Sequence, residues 1–176
     1  SYGGLGCDLP GDPIARSIIK CFLGAAEGVE VNLVNVYSMA KERGLIIEEV
    51  KSNEQVDFRE WLHIRAWAGE EKVSVAGSFF GLAQHPRIVR LNSQPVEIIP
   101  DGLLFMMTNK DRPGIVGHLG TVLGNHGVNI ANMSLGRDRE GGQALTALNI
   151  DSVPPAECLA ELEADPDIGT IRIVLF

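Results

Sequence analysis

The sequence predicts an α+β fold in two parts, and three observations carry that expectation. Apolar residues recur every three or four positions in two early segments. After Gly44 the period changes to two, and from Leu103 strand-like and helix-like segments alternate.

The first eleven residues are rich in turn formers and specify no element. "DPIARSIIKCFLG" predicts a helix with Asp12 as N-cap and Pro13 in the first helical position. Ile14, Ile18, Ile19, Phe22 and Leu23 fall on its inner face, and Gly24 closes it. "VNLVNVYSMAKERG" predicts a second helix with Leu33, Val34, Val36, Tyr37 and Ala40 buried. Lys41 and Arg43 complement its negative end, and Gly44 supplies a left-handed stop.

"LIIEEV", "WLHIRAWA", "KVSVAGSFFG", "RIVRLN" and "VEII" then read as strands of a small, largely antiparallel sheet. The turn signals "SNEQ", "AGEE" and "NSQP" separate them. "IIPDG", Ile98 to Gly102, marks a boundary, giving domains of 1–100 and 101–176.

Beyond it, "LLFMMTN" is a strand and "GIVGHLGTVLGNHG" a helix with Ile115, Val116, Leu119, Val122 and Leu123 inward. "VNIANMSLG" and "QALTALNID" are strands joined by the "RDREGG" hairpin. "PAECLAELEAD" is a short helix and "TIRIVLF" the last strand. The order βαββαβ is that of a ferredoxin-like sandwich, one antiparallel sheet with two helices on one face.

Composition narrows the functions. Apolar residues make up 45% and charged residues 22%, the balance of a globular protein. With 23 acids against 15 bases the net charge is −8, which repels a phosphate backbone, so nucleic acid is not an expected partner. The strands "LLFMMTN" and "QALTALNID" also lack the stacking aromatics of an RNA-binding βαββαβ module. No apolar run approaches the roughly 20 residues that span a bilayer. The chain opens "SYGGLGCDLPGDP", with neither Met nor signal core, and reads as a piece of a longer protein. Cys7, Cys21 and Cys158 are scattered and odd in number, which predicts reduced structural thiols and a cytoplasmic location. His63, His85, His118 and His126 lack ligand spacing, so no metal is expected. Nucleotide-binding glycine motifs and a nucleophile elbow are absent, and no catalytic residue is predicted.

The loop "NKDRPGI" is the best candidate site. Pro113 fixes φ and Gly114 frees it, so the chain turns sharply into the helix. The N–H groups of Gly114, Ile115 and Val116 then stand at a positive helix end that suits a carboxylate, beside Asp111 with the opposite charge. An anion seat next to a carboxylate matches the two charges of a free amino acid. Asn129, at the start of the next strand, could bond to either group. The competing reading is structural, with Asp111 capping the helix and Asn129 in a strand-edge turn. Gly117, Gly120 and Gly124 are costly in a helix, and close packing on its own sheet is the expected reason. Lys41, Arg43, Lys51, Arg59, Arg65, Arg87 and Arg90 could hold a phosphate or organic acid if several converged, or form a solvated surface if not.

"NKDRPGIVGHLGTVLGNHGVNIANMSLGR", with "QALTALNID" and "GTIRIVLF", resembles an ACT domain, an amino-acid-sensing module. "VNLVNVYSMAKERGL", "VAGSFFG" and "PRIVRLN" resemble the intervening, allosteric substrate-binding domain of long-type D-3-phosphoglycerate dehydrogenases. The resemblance implies a regulatory region without a catalytic core, cut from an NAD-dependent parent enzyme of serine biosynthesis. It implies that L-serine or a related small amino acid binds between two ACT modules of a homodimer, which can build further into a tetramer. Carried onto this sequence, the contacts are Asn109, Asp111 and Asn129, with Arg112, Pro113, Gly114 and Ile115 shaping the seat. The resemblance also implies a phosphorylated organic acid as a further ligand, for which Lys41, Arg43 and Lys51 are the candidates. The position of Asn109 is often aromatic or His in such proteins. Two alternatives remain open at this point: the regulatory half of an L-serine dehydratase, whose Ser/His-rich motif is absent here, and a scaffold that holds an oligomer without a ligand.

Overall fold

The structure is a computed structural model that describes residues 1–4, 11–27, 31–52, 58 and 60–176. Cys7, Arg59 and most of the expected "SNEQ" turn lie outside the described residues. The chain forms two compact units, Ser1–Leu62 and His63–Phe176.

In the first unit, β1 (Tyr2–Gly4) pairs in parallel with β2 (Lys51–Ser52). It pairs antiparallel with the opening residues of β3 (Glu60–Ala68). Gly3 is required there, because a Cβ would lie 2.4 Å from the Trp61 indole. Helix α1 (Gly11–Glu27) starts before Asp12 and runs past Gly24, so the expected cap and stop are both corrected. Asp12 lies inside the first turn and accepts from Arg16 Nε at 2.6 Å. Ile19 and Leu23 are buried as expected, but Phe22 is exposed.

Helix α2 (Val36–Glu42) is half the predicted length. Asn32 Oδ1 accepts from the backbone N–H of Val34 and of Asn35, both at 2.9 Å. This side-chain turn holds the chain outside the helix until Val36 and leaves Leu33 and Val34 exposed, against expectation. The end of α2 follows the prediction. Gly44 has φ +70°, its N–H reaches Lys41 O, and Leu45 N–H reaches Ala40 O, the paired bonds of a Schellman stop. Ile19, Leu23, Val31, Val36 and Ala40 form the core of this unit, with Leu45 packed on it. The expected strand "LIIEEV" does not form: residues 45–50 are in no strand, and Ile46 is 87% exposed.

The second unit contains β4 (Glu71–Phe80), β5 (His85–Leu91) and β6 (Gln94–Ile98) as successive antiparallel neighbours. There follow β7 (Leu103–Lys110), α3 (Ile115–Asn125), β8 (Ile130–Arg137), β9 (Gln143–Ile150), α4 (Ala156–Glu163) and β10 (Ile168–Leu175). The last four strands form an antiparallel sheet in the order β10-β7-β9-β8, the predicted ferredoxin-like sandwich. Phe105, Met107, Leu148 and Ile150 on its helical face pack with Leu119, Val122, Leu123, Cys158 and Leu162. Truncating fully buried Phe105 to Ala would cost about 3–5 kcal/mol.

The opposite face is covered as well. Leu104, Met106, Ala147 and Val174 pack with Ile88, Leu91, Val96 and Ile98 of β5 and β6. Strands buried on both faces lose the polar alternation of a one-sided sheet, which accounts for the near-continuous apolar character of "LLFMM" and "ALTAL". Gly136 makes this fit possible, since a Cβ there would lie 2.1 Å from Pro95 O. Ser134 Oγ accepts from Glu97 N–H at 2.8 Å. Asn149 Nδ2 donates to Ile99 O and Asp101 O at 3.0 Å each, fixing the connection between β6 and β7.

The glycines of α3 are a further correction. A Cβ on Gly117, Gly120 or Gly124 would meet nothing within 4 Å, so they do not serve close packing on their own sheet. Gly117 and Gly124 face outward.

Candidate functional site

The loop between β7 and α3 turns as the Pro-Gly pair dictates. Gly114 sits at the helix N-cap with φ +89°, a left-handed conformation that disfavours side chains. Its carbonyl accepts from His118 N–H at 2.9 Å. Ile115, the first residue of α3, points into the core and is 2% exposed, and its N–H donates to Arg112 O at 3.4 Å, so it shapes the turn and does not face a ligand.

Asp111 is held against the β8–β9 hairpin. Its N–H donates to Gly142 O at 2.8 Å. Its Oδ2 accepts from Arg137 Nη1 at 2.9 Å and from Gly141 N–H at 3.2 Å. The Arg137 hydrogen bond, followed by that of Gly141, lowers the Asp111 pKa below the ordinary carboxylate value, and Asp111 in turn raises that of Arg137.

Arg112 turns the other way. Its Nη2 donates to Asp165 Oδ2 and its Nε to Asp167 Oδ2, both at 2.6 Å. The two hydrogen bonds raise the guanidinium pKa. Asp165 is lowered first by the Asp167 backbone N–H and then by Arg112. His118 Nε2 lies 3.7 Å from the same Asp165 Oδ2.

Asn109 is 1% exposed on β7. Its Oδ1 accepts from Thr146 Oγ1 at 2.9 Å and its Nδ2 donates to Lys110 O at 3.1 Å. Asn129 precedes β8 and donates through Nδ2 to Asp151 Oδ2 at 2.8 Å.

The strand register fixes where these residues stand. Lys110 pairs with Gln143 at one end of the sheet, while Leu103 and Ile130 both pair with Ile150 at the other. Asn109, Asp111 and Gly114 therefore gather at one end and Asn129 stands at the opposite one. The separation is roughly 24 Å at about 3.4 Å per residue. Pro113 and Gly114 shape the loop, and the head group of Arg112 is directed to the turn before β10.

The expected anion residues of the first unit are spread over different elements. Lys41 lies in the last turn of α2, and Arg43, its C-cap, donates to Met39 O at 3.2 Å. Lys51 lies on β2 with its ammonium 5.6 Å from the centre of the Tyr2 ring. In the second unit Arg87 pairs with Glu97 at 3.7 Å. Arg65 instead lines a cleft of about 360 Å³ with Trp67, Lys72, Ser74 and Asn92. Among the described residues no group of His, Cys, Asp and Glu could hold a metal ion, and no helix is long and apolar enough to cross a membrane. Arg137, Gly141, Asp165, Asp167 and Thr146 escape sequence reasoning, though the "GR" before the hairpin and the "DPD" of 165–167 place charges within reach.

Comparison with known families agrees with this architecture. Residues 1–92 match the D-3-phosphoglycerate dehydrogenase intervening domain, and residues 103–167 match the ACT domain. The chain is similar to a D-3-phosphoglycerate dehydrogenase of Methanocaldococcus jannaschii, 30% identical over 163 residues that cover 93% of this chain and 30% of that protein. The enzyme of the same name from Bacillus subtilis is 28% identical over 92% of this chain and 30% of its own length. That of Synechocystis is 33% identical over 85% and 27% respectively. The chain thus spans about 30% of the length of these relatives. With a matching intervening domain over half its length and an ACT sandwich after it, the chain belongs to the D-3-phosphoglycerate dehydrogenase intervening-domain family.

Proposed function

We propose that this chain is the regulatory region of a cytoplasmic, NAD-dependent D-3-phosphoglycerate dehydrogenase, divided functionally into 1–100 and 101–176. It contributes no catalytic residue. It binds L-serine, or a closely related small amino acid, at a seam between two ACT domains, and that seam assembles the oligomer. A phosphorylated organic acid is a second ligand, met by basic residues of the intervening domain.

The observation that carries the reading is the separation of Asp111 from Asn129 at opposite ends of one sheet. A single protomer cannot offer both to one small zwitterion. A second copy can, because β8 is the edge strand and an edge offers unpaired backbone groups. In an isologous antiparallel pairing centred on β8, Ile130 of the second copy stands opposite Arg137, beside Asp111. Asn129 then arrives at the Asp111 end. Three further features favour the seam: the outward glycines of α3, Val116 at 45% exposure, and Met133 and Leu135 at 37% each on the edge strand.

A second reading has its own support. Asn109, Asp111 and Asn129 all have hydrogen-bond partners within the chain, as residues of a ligand-free assembly scaffold would. Calorimetric titration with L-serine, using D-serine, glycine and L-alanine as controls, alongside sedimentation, separates the two. Stereospecific saturable binding by a dimer is expected. A folded dimer that binds none of them would leave only the scaffold.

A further inference from the structure

Resting on the reading just given, we infer that Arg137 is the residue that receives the carboxylate of the bound amino acid, while Asp111 receives its ammonium group. The two arginines near the loop differ in how far their donors are used. Arg112 spends the Nε and Nη2 edge of its guanidinium on two carboxylates at 2.6 Å. Among the described residues, the Arg137 guanidinium donates a hydrogen bond only to Asp111, through Nη1. Its Nε and Nη2 edge, the geometry that grips a carboxylate with two parallel bonds, is left available. The Arg137 side chain is 53% exposed, against 18% for Asp111, so its head reaches solvent beside a more sheltered acid.

Position strengthens the assignment. Asn109 and Arg137 both pair with Ala144, from opposite sides, so the three lie in one row across β7, β9 and β8 at the end of the sheet that carries the loop. Arg137 closes that row on the edge strand, where a second copy would meet it. Asp111 and Arg137 together present adjacent negative and positive charges, the complement of a zwitterion's own pair. The ligand inserts its charges beside this pair without leaving either protein group unpaired.

The test is titration of the 176-residue chain and its Arg137→Ala and Asp111→Asn variants with L-serine and with ethanolamine, an amine of similar size without a carboxylate. Circular dichroism and sedimentation verify the fold and the dimer of each. Arg137→Ala is expected to weaken L-serine at least tenfold while ethanolamine binds equally or more tightly, since Asp111 has lost its competing cation. Asp111→Asn is expected to weaken both ligands. Arg137→Lys, which keeps the charge but not the fork, is expected to restore binding only in part. A role confined to shaping the loop would weaken both ligands alike in Arg137→Ala, and that result would overturn the assignment. So would L-serine binding to Arg137→Ala as tightly as to the unaltered chain. If the unaltered chain binds no amino acid, the sensor reading itself fails and this assignment falls with it.

Discussion

Arg112 and Asp165 face each other across 2.6 Å although 53 residues separate them in the chain, and this contact ties the candidate ligand loop to the turn between α4 and β10. Asp167 completes the grip through Nε, on the same edge of the guanidinium. Arg112 therefore positions the loop through its aspartates. Arg112→Ala is expected to lower the melting temperature by a few degrees and to weaken L-serine several-fold. Fluorimetric melts and calorimetry would check this, and an unchanged affinity would mean that Pro113 and Gly114 hold the loop alone.

The same network sets a pH dependence. Asp111 and Asp165 have folded-state pKa values below the ordinary 3.8. Below that value an unfolded chain takes up protons that the folded chain still refuses, so stability falls as pH falls. The contribution is fully present above about pH 4 and is lost as pH drops through the depressed folded values. Acid titrations followed by circular dichroism should show a shallower loss for Arg112→Ala than for the unaltered chain, because one cause of the Asp165 shift is gone.

Two glycines of the second unit should respond to alanine with opposite signs. Gly136→Ala drives a Cβ to 2.1 Å from Pro95 O and is expected to destabilise the unit by about 1–3 kcal/mol, as overpacking does. Gly117→Ala meets no neighbour within 4 Å and is expected to stabilise the isolated protomer by about 0.5–1 kcal/mol through helix propensity. Under the proposed seam the methyl group added at Gly117 also weakens self-association. Denaturant melts at low protein concentration, paired with sedimentation across a dilution series, would separate these effects.

Asn149 bridges two carbonyls with one amide group, and it is 9% exposed. Asn149→Ala would take one hydrogen bond from each of Ile99 O and Asp101 O, while Ile99 O keeps that of the Asp101 N–H at 2.9 Å. The expected cost is about 1–3 kcal/mol, the sum of two net hydrogen bonds at about 0.5–1.5 kcal/mol each. Urea unfolding would measure it, and hydrogen exchange should show faster opening of residues 98–104.

Much of the fold was legible because the signals were local. The change of period at Gly44, the Pro-Gly entry to α3 and the βαββαβ order each rest on neighbours within a turn or two. The errors arose where a side chain competed with the backbone or where a partner came from far away. Asn32 looks like any polar helix residue until its Oδ1 is seen holding the Val34 and Asn35 N–H groups. "LIIEEV" carries strand propensity but lies in no strand, and propensity alone does not make one. At the site, Asp111 and the Pro-Gly turn could be read from their spacing. The partners of Asp111 and Arg112 could not, because Arg137 lies 26 residues from the first and Asp165 lies 53 from the second.

Strand β8 has one open face and one covered face. One carries Met133, Leu135 and Arg137 toward the helical side, and the other sets Ser134 and Gly136 against β6. The strand therefore works as a beam loaded on one side only. A twist imposed at its outer edge would meet β6 first at Ser134, which holds the Glu97 N–H at 2.8 Å, and at Gly136, where the Pro95 carbonyl leaves no room for a side chain. The shortest route from the edge of the sandwich to β6 thus runs through backbone groups.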